Sequence, residues 1–294
     1  MKSTVTNQIE HLSGGQAGEH PQALPVNSRW FTRFFARYSE WLVRRNFHAV
    51  RLLGAGNLDR FNGQPLVLYA NHPSWWDPLV ALVIWRRLLA DRIPYAPIDA
   101  AMLERYAFFK RLGFFGVDRN SLPGARQFLR IGSQLLGRPE TLLLITPQGR
   151  FADVRDESAG FEPGLAHLAA RNPNAVFLPV AMEIAYWEEK RPEVLLHFGE
   201  PLRTADDGSQ TVGTEGERVR TRRSPRSKTN LNLRLEQALR AAASRLARAS
   251  IHREEDAFGN LLEGRAGTQP VYDAWRRFKA ALRGRTFAAA HGTK

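Results

Sequence analysis

From residue 65 onward, short apolar runs alternate with stretches of helical periodicity, and this alternation limits the possible folds more than any other feature of the sequence. The runs 65–70 and 141–145 are almost wholly apolar, as in strands that are buried on both faces of a parallel sheet. Strands separated by helices predict an α/β fold with a mostly parallel sheet flanked by helices. Further strands are expected at 93–98, 114–117, 175–184 and 194–198, and helices at 78–89, 100–112, 123–136 and 163–170.

The remainder of the chain divides by composition. Residues 1–27 have no period and predict a flexible tail, whereas 28–53 predict an amphipathic interface helix in front of the α/β region. We place the main domain at 54–250, with a solvated insertion at 203–228 that holds almost no apolar residue. Residues 251–294 predict a basic C-terminal extension, amphipathic over 271–287.

The charge balance indicates an anionic partner. The 294 residues include 42 Lys and Arg against 29 Asp and Glu, which gives a formal net charge of +13. The chain has no cysteine, which excludes disulfides, thiolate metal sites and cysteine nucleophiles. No stretch approaches the roughly 18 apolar residues of a membrane-spanning helix, so we expect none.

The segment 30–47 combines an aromatic face with many arginines. Two interpretations fit this pattern: a helix at a membrane interface, where aromatic rings and arginines meet anionic lipid, or a helix packed on the core. The aromatic face carries Trp30, Phe31, Phe34, Phe35, Tyr38 and Trp41, and the arginines are Arg29, Arg33, Arg37, Arg44 and Arg45.

The strand predicted at 65–70 ends in a segment that could carry chemistry. His72 follows this strand, and the carboxyl ends of parallel strands are where active sites gather. Asp77 comes five residues later and can reach His72 only if the chain turns, which Pro73 and Pro78 favour. A carboxylate on one ring nitrogen would leave the other free as a general base. Alternatively, Asp77 is a plain helix N-cap, or forms a capping box with Ser74.

Four blocks in order resemble the glycerolipid acyltransferase superfamily, which includes 1-acylglycerol-3-phosphate acyltransferases. The segment 71–78 is similar to its Asn-His-x-Ser-x-x-Asp signature, and 113–119 resembles its second block. Residues 146–150 stand where the third block, usually Phe-Pro-Glu-Gly-Thr-Arg, would fall, and 177–181 resembles the fourth. The similarity covers roughly residues 60–205.

This resemblance implies an O-acyltransferase in which His72 is the general base and Asp77 orients it. The donor would be acyl-CoA or acyl-acyl carrier protein, and the acceptor would be a glycerolipid such as 1-acylglycerol-3-phosphate. The resemblance implies no metal and no other cofactor, and no nucleic-acid partner. Acceptor or phosphate binding is implied for Arg119, Gln148, Gly149 and Arg150. Support of the motif, or a border of the acyl channel, is implied for Asn71, Ser74, Trp75, Trp76 and Pro179. The expected location is peripheral, on the cytoplasmic face of a membrane.

The third block departs from the family pattern. Gln148 replaces the usual glutamate, Arg150 comes one position early, and Phe151 holds the usual arginine position. Adjacent residues of an extended segment face opposite ways, so an arginine shifted by one position can point away from a phosphate on the acceptor. An acceptor without phosphate is therefore an alternative, such as a glycolipid, a pigment or an amino-acid lipid. Outside this enzyme class, a catalytically inert membrane-binding relative and a basic nucleic-acid-binding protein remain alternatives.

Overall fold

The computed structural model describes residues 24–58, 61, 63–204 and 225–265, with the backbone alone over 225–229. Its centre is a nine-stranded sheet with the order β4-β3-β5-β2-β6-β7-β1-β9, in which β8 pairs with β6. The strands are β1 (Ala49–Leu53), β2 (Leu66–Ala70), β3 (Ile93–Asp99), β4 (Phe114–Val117), β5 (Thr141–Ile145), β6 (Val176–Ala185), β7 (Glu193–Phe198), β8 (Leu202–Arg203) and β9 (Gly259–Glu263). The helices are α1 (Arg29–Asn46), α2 (Asp77–Leu88), α3 (Ala100–Arg105), α4 (Leu122–Leu135), α5 (Gly164–Arg171) and α6 (Pro225–Ile251).

The sheet is mostly parallel, which confirms the predicted α/β class. Strands β4, β3, β5, β2 and β6 all run in one direction, and β7 turns back antiparallel to β6. Side chains of β2 alternate between two apolar layers: Val67 and Tyr69 face α4, α5 and α6, while Leu66 and Leu68 face α1 and α2. Because both faces are covered, the central strands are apolar throughout.

Two predicted helices have different bounds in the structure. The helix expected over 28–53 ends at Asn46, because Phe47 is extended, and residues 49–53 form β1 between β7 and β9. The helix expected over 100–112 breaks at Tyr106, which is not helical, and continues as a short 3-10 helix over 107–111. At 49–53, pairing with distant strands overrides the local helical pattern.

The strands also extend past the ends predicted for the main domain. Strand β9 lies within the segment predicted as a basic extension, and its pairing with β1 closes one edge of the sheet. Arg203, predicted as the start of the insertion, belongs to β8. Residues 1–23, 205–224 and 266–294 lie outside the described residues, and with them most of the tail, the insertion and the amphipathic segment 271–287.

Helix α1 packs against α2 with a narrow face of small side chains, including Ala36, Ser39 and Val43. Four of its six aromatic residues lie on the other side: Trp30, Phe34, Tyr38 and Trp41 are between 45 and 71% exposed. These four rings, which we call the aromatic surface, follow one another along the helix, with Trp30 and Phe34 stacked at 5.9 Å and Tyr38 and Trp41 at 6.0 Å. The helix therefore packs on the core with small side chains and Phe35, and leaves these four rings exposed.

The aromatic surface borders a second exposed segment. Phe35 contacts Phe108 of the 3-10 helix at 5.6 Å, and Phe108, Tyr106 and Met102 are all exposed. Asn27 joins the two segments, since its side-chain amide donates to the carbonyls of Pro94 and Leu112 at 2.9 Å each. No helix within the described part of the chain combines the length and hydropathy needed to span a bilayer.

A buried ion cluster at the start of β1 predicts a pH-dependent stability. Glu193, whose side chain is 3% exposed, accepts from Arg51 and lies 3.0 Å from His48 Nδ1. The hydrogen bond to Glu193 raises the pKa of His48 despite its burial, so this contribution is complete below the ordinary histidine pKa and is lost as the pH rises through the raised value.

We therefore expect His48→Gln to lower the free energy of unfolding by about 1–2 kcal/mol at pH 6 and by less at pH 9. Denaturant titrations at both pH values measure the difference, with the exposed His252→Gln as a control. A loss that is equal at the two pH values would contradict the charged pair.

Candidate active site

The site begins where β2 ends. Asn71 continues the ladder between β2 and β6 with its side chain, whose oxygen accepts from Met182 N and whose amide donates to Met182 O, both at 2.8 Å. Asn71 is buried and takes the place of a further strand residue. His72 therefore leaves the carboxyl end of β2 from a fixed backbone position.

His72 and Asp77 meet directly. The chain turns at Ser74–Asp77, where Asp77 N donates to Ser74 O at 3.2 Å, and this turn brings Asp77 Oδ2 to 2.6 Å from His72 Nδ1. Asp77 is buried, whereas the imidazole is 19% exposed. The other ring nitrogen, Nε2, is thereby left for a substrate.

The structure also decides between the structural interpretations of Asp77. The N-cap of α2 is Trp76, and Asp77 is the first helical residue, so the plain N-cap interpretation is wrong. Asp77 Oδ2 does accept from Ser74 N at 3.2 Å, and Ser74 Oγ accepts from Trp76 N at 3.0 Å, which resembles a capping box. The same carboxylate oxygen thus fixes the turn and the imidazole.

Residues of the third block bind the backbone of His72. Gln148 Oε1 accepts from His72 N at 3.1 Å, and Ala152 N donates to His72 O at 3.0 Å. Gly149 lies between them with φ of +65°, a left-handed conformation that favours glycine. Gln148 therefore supports the base, and its side-chain oxygen Oε1 is occupied by the hydrogen bond from His72 N.

The two arginines expected to bind the acceptor have different surroundings. Arg119 is exposed and approaches Gly149, where a Cβ would lie 3.2 Å from Arg119 Nη1. No carboxylate forms an ion pair with Arg119 within the residues that the structure describes. Arg150 instead turns to Asp156, with Nη2 3.5 Å from Oδ2. Arg119 thus remains near the third block as an available cation, and Arg150 is paired.

The remaining predicted residues lie at different depths. Trp75 is exposed and stacks on Trp76 with 4.6 Å between ring centroids. Trp76 also meets Phe47, the residue that follows α1, edge to face at 4.9 Å. Pro179 is buried in β6 opposite Tyr69 and accepts from Gly199 N, so it belongs to the sheet below the site.

Sequence reasoning did not assign Phe151 a contact with the base. Its ring lies against the imidazole of His72, with 4.3 Å between centroids and 32° between planes. The departure of the third block drew attention to Phe151 as a missing arginine. Only the bond between Ala152 and His72, which folds the loop back, brings the ring to this position.

Comparison with known proteins agrees with this geometry. Residues 49–183, from β1 to the end of β6, match the family model described as Acyltransferase, and no curated protein matches the chain. The matched segment contains the turn that joins His72 to Asp77, the approach of Arg119 to Gly149 and the loop of Gln148. The chain thus carries an acyltransferase domain of the glycerolipid acyltransferase family.

Proposed function

We propose that the protein transfers a fatty acyl group from a thioester to a hydroxyl group of a lipid acceptor. The observation that carries this proposal is the pair of His72 and Asp77, joined at 2.6 Å through Nδ1 at the carboxyl end of β2, with no hydrogen bond to Nε2 from the described residues. Such a pair can remove a proton from a hydroxyl group that is bound at Nε2.

The reaction would proceed without an acyl-enzyme. His72 Nε2 takes the hydroxyl proton as the acceptor oxygen attacks the thioester carbonyl, and the new C–O bond gives a tetrahedral oxyanion. The C–S bond then breaks, and the imidazolium returns the proton to the departing thiolate. Asp77 stabilises the imidazolium between these steps. The chain has neither a cysteine nor a Gly-x-Ser-x-Gly elbow to act as nucleophile.

Two classes of acceptor have support from separate observations. The exposed guanidinium of Arg119 beside Gly149 supports an acceptor that carries phosphate, such as 1-acylglycerol-3-phosphate. The ion pair of Arg150 with Asp156 and the ring of Phe151 beside His72 support an acceptor without phosphate. For the donor we propose acyl-CoA or acyl carrier protein.

We further propose that the protein docks on anionic membranes through α1. The aromatic surface is exposed, and Arg33, Arg37 and Arg45 are exposed on the same helix, with Arg45 5.5 Å from the Trp41 ring. Aromatic rings enter the boundary between headgroups and acyl chains, and arginines bind lipid phosphates. Peripheral docking would bring the site to a lipid acceptor.

Thiol release and product analysis test the activity. The purified protein is incubated with one donor, oleoyl-CoA or oleoyl-acyl carrier protein, and one acceptor, 1-oleoylglycerol-3-phosphate or 1-oleoylglycerol. The lipid products are identified by mass spectrometry. We expect acceptor-dependent thiol release with a doubly acylated product, and no acyl adduct on the intact protein. Release no faster than with His72→Ala would favour an inert relative. Binding to DNA or RNA that exceeds binding to anionic vesicles would favour the nucleic-acid alternative.

Asp77→Asn separates orientation of the base from helix capping. Asparagine retains an oxygen for Ser74 N but loses the charge that stabilises an imidazolium, so we expect transfer to fall by about 10–100-fold. Thermal unfolding should change little, because the turn keeps its bond. If transfer stays near the wild-type rate while the melting temperature drops, Asp77 serves the helix and not the base.

A further inference from the structure

The ring of Phe151 lies against the base. Phe151 is 57% exposed although its ring lies against His72, whose imidazole is itself only 19% exposed. The two rings, 4.3 Å apart, are thus both partly open to solvent. An acceptor whose hydroxyl reaches Nε2 places its neighbouring atoms close to that ring.

The position of Phe151 is fixed by hydrogen bonds on either side of it in the loop. Ala152, the next residue, is buried and donates to His72 O at 3.0 Å, while Gln148 on the other side accepts from His72 N at 3.1 Å. Glu162 N donates to Pro147 O at 2.8 Å and closes the base of the loop. Phe151 is thus held between two attachments to the residue that it covers.

Both arginines of the loop that carries this ring are paired with carboxylates of the same loop, whereas Arg119 lies outside the loop, beside Gly149. Residues 150–158 contain two arginines and three carboxylates. Arg150 pairs with Asp156 at 3.5 Å, and Arg155 binds both oxygens of Asp153 at 2.8 and 2.7 Å. The bond from Arg155 holds the pKa of Asp153 well below its usual range, so this carboxylate is ionised. A phosphate that lay against the ring of Phe151 would meet an apolar surface, and both arginines of the loop are already paired.

We propose that Phe151 is a specificity-determining residue, whose ring selects acceptors with an uncharged carbon beside the attacked hydroxyl over acceptors with a phosphate there. This inference rests on the proposed acyl transfer. The ring favours a glyceride- or glycolipid-like backbone by apolar contact and disfavours phosphate because it cannot replace the lost hydration.

The test compares 1-oleoylglycerol with 1-oleoylglycerol-3-phosphate, each at the same mole fraction in nonionic detergent micelles with oleoyl-CoA as donor. For the wild type we expect kcat/KM to be at least about tenfold higher with the uncharged acceptor. Phe151→Arg should lower this ratio by about tenfold or more, because a guanidinium there can bind the phosphate. Phe151→Leu should keep the ratio within about threefold, and so should Leu233→Arg on the exposed side of α6.

The outcomes separate the two proposals. If neither acceptor releases thiol faster than with His72→Ala, the proposed acyl transfer fails. If transfer occurs but the wild type prefers the phosphate, or Phe151→Arg changes both acceptors equally, the role of Phe151 alone is overturned.

Discussion

His72→Ala is expected to lower acyl transfer by about 100-fold or more, because the hydroxyl would lose the base that takes its proton. The remaining rate would come only from holding donor and acceptor together. Initial rates of thiol release at saturating donor measure the effect, and the loss should appear in kcat with a small change in KM.

A second variant at His72 separates the loss of the base from a loss of stability. His72 is the partner of a buried carboxylate, so alanine leaves Asp77 Oδ2 with only the amide of Ser74. His72→Gln keeps a side-chain donor without an effective base, and we expect the same loss of transfer with a smaller loss of stability. Transfer by the glutamine variant within a few-fold of wild type would rule out the general-base mechanism.

Replacing Trp30, Phe34 and Trp41 together by serine is expected to weaken binding to anionic vesicles by about 100-fold. At an interface, each ring contributes less to the binding free energy than the 1.5–3 kcal/mol of full burial. A contribution of about 1 kcal/mol from each of the three rings corresponds to about 100-fold in affinity. Co-sedimentation with vesicles of phosphatidylglycerol and phosphatidylcholine measures it. Substitution tests the aromatic surface more specifically than deletion of residues 28–47, because deletion would also remove the buried face of α1 that packs against α2.

Two controls distinguish docking from folding. Leu233→Ser with Ile251→Ser removes exposed apolar side chains from α6, and this variant should bind vesicles like the wild type. Arg33→Gln with Arg37→Gln should weaken binding to anionic vesicles by about tenfold at low salt, and this difference should shrink at high salt. If the triple serine variant unfolds, or binds unchanged, the aromatic surface does not dock.

Much of the fold could be predicted because the central strands carry their own signal. The run 141–145 is buried on both sides, so its apolar residues indicate a strand without knowledge of its neighbours. Strand β1 contains Arg51 and begins directly after a strong helical pattern. Only its pairing with β7 and β9, more than 140 residues away, makes the segment a strand.

In the site, too, local contacts could be predicted from the sequence and long-range contacts could not. Pro73 and Pro78 made the turn between His72 and Asp77 predictable, because prolines restrict the local chain. The contact of Phe151 with His72 depends on a loop that returns from another strand over about 80 residues, and no local pattern reports it. The partner of Arg150 is likewise set by the path of that loop to Asp156.

Helix α2 connects the base to the outer helix. Asp77 lies in its first turn, and Arg86 and Arg87 near its last turn pair with Glu40 of α1. Burial alone would raise the pKa of Glu40, but these arginines and Arg44 outweigh it and lower the pKa, so the link between the helices is ionic. The 12 residues of α2 span about 18 Å. If α1 docks as proposed, His72 stands at a set height above the bilayer, and encounters with acceptor take place in two dimensions. The rate would then follow the mole fraction of acceptor in the surface, so that dilution with inert lipid slows the enzyme even when the total amount of acceptor is constant.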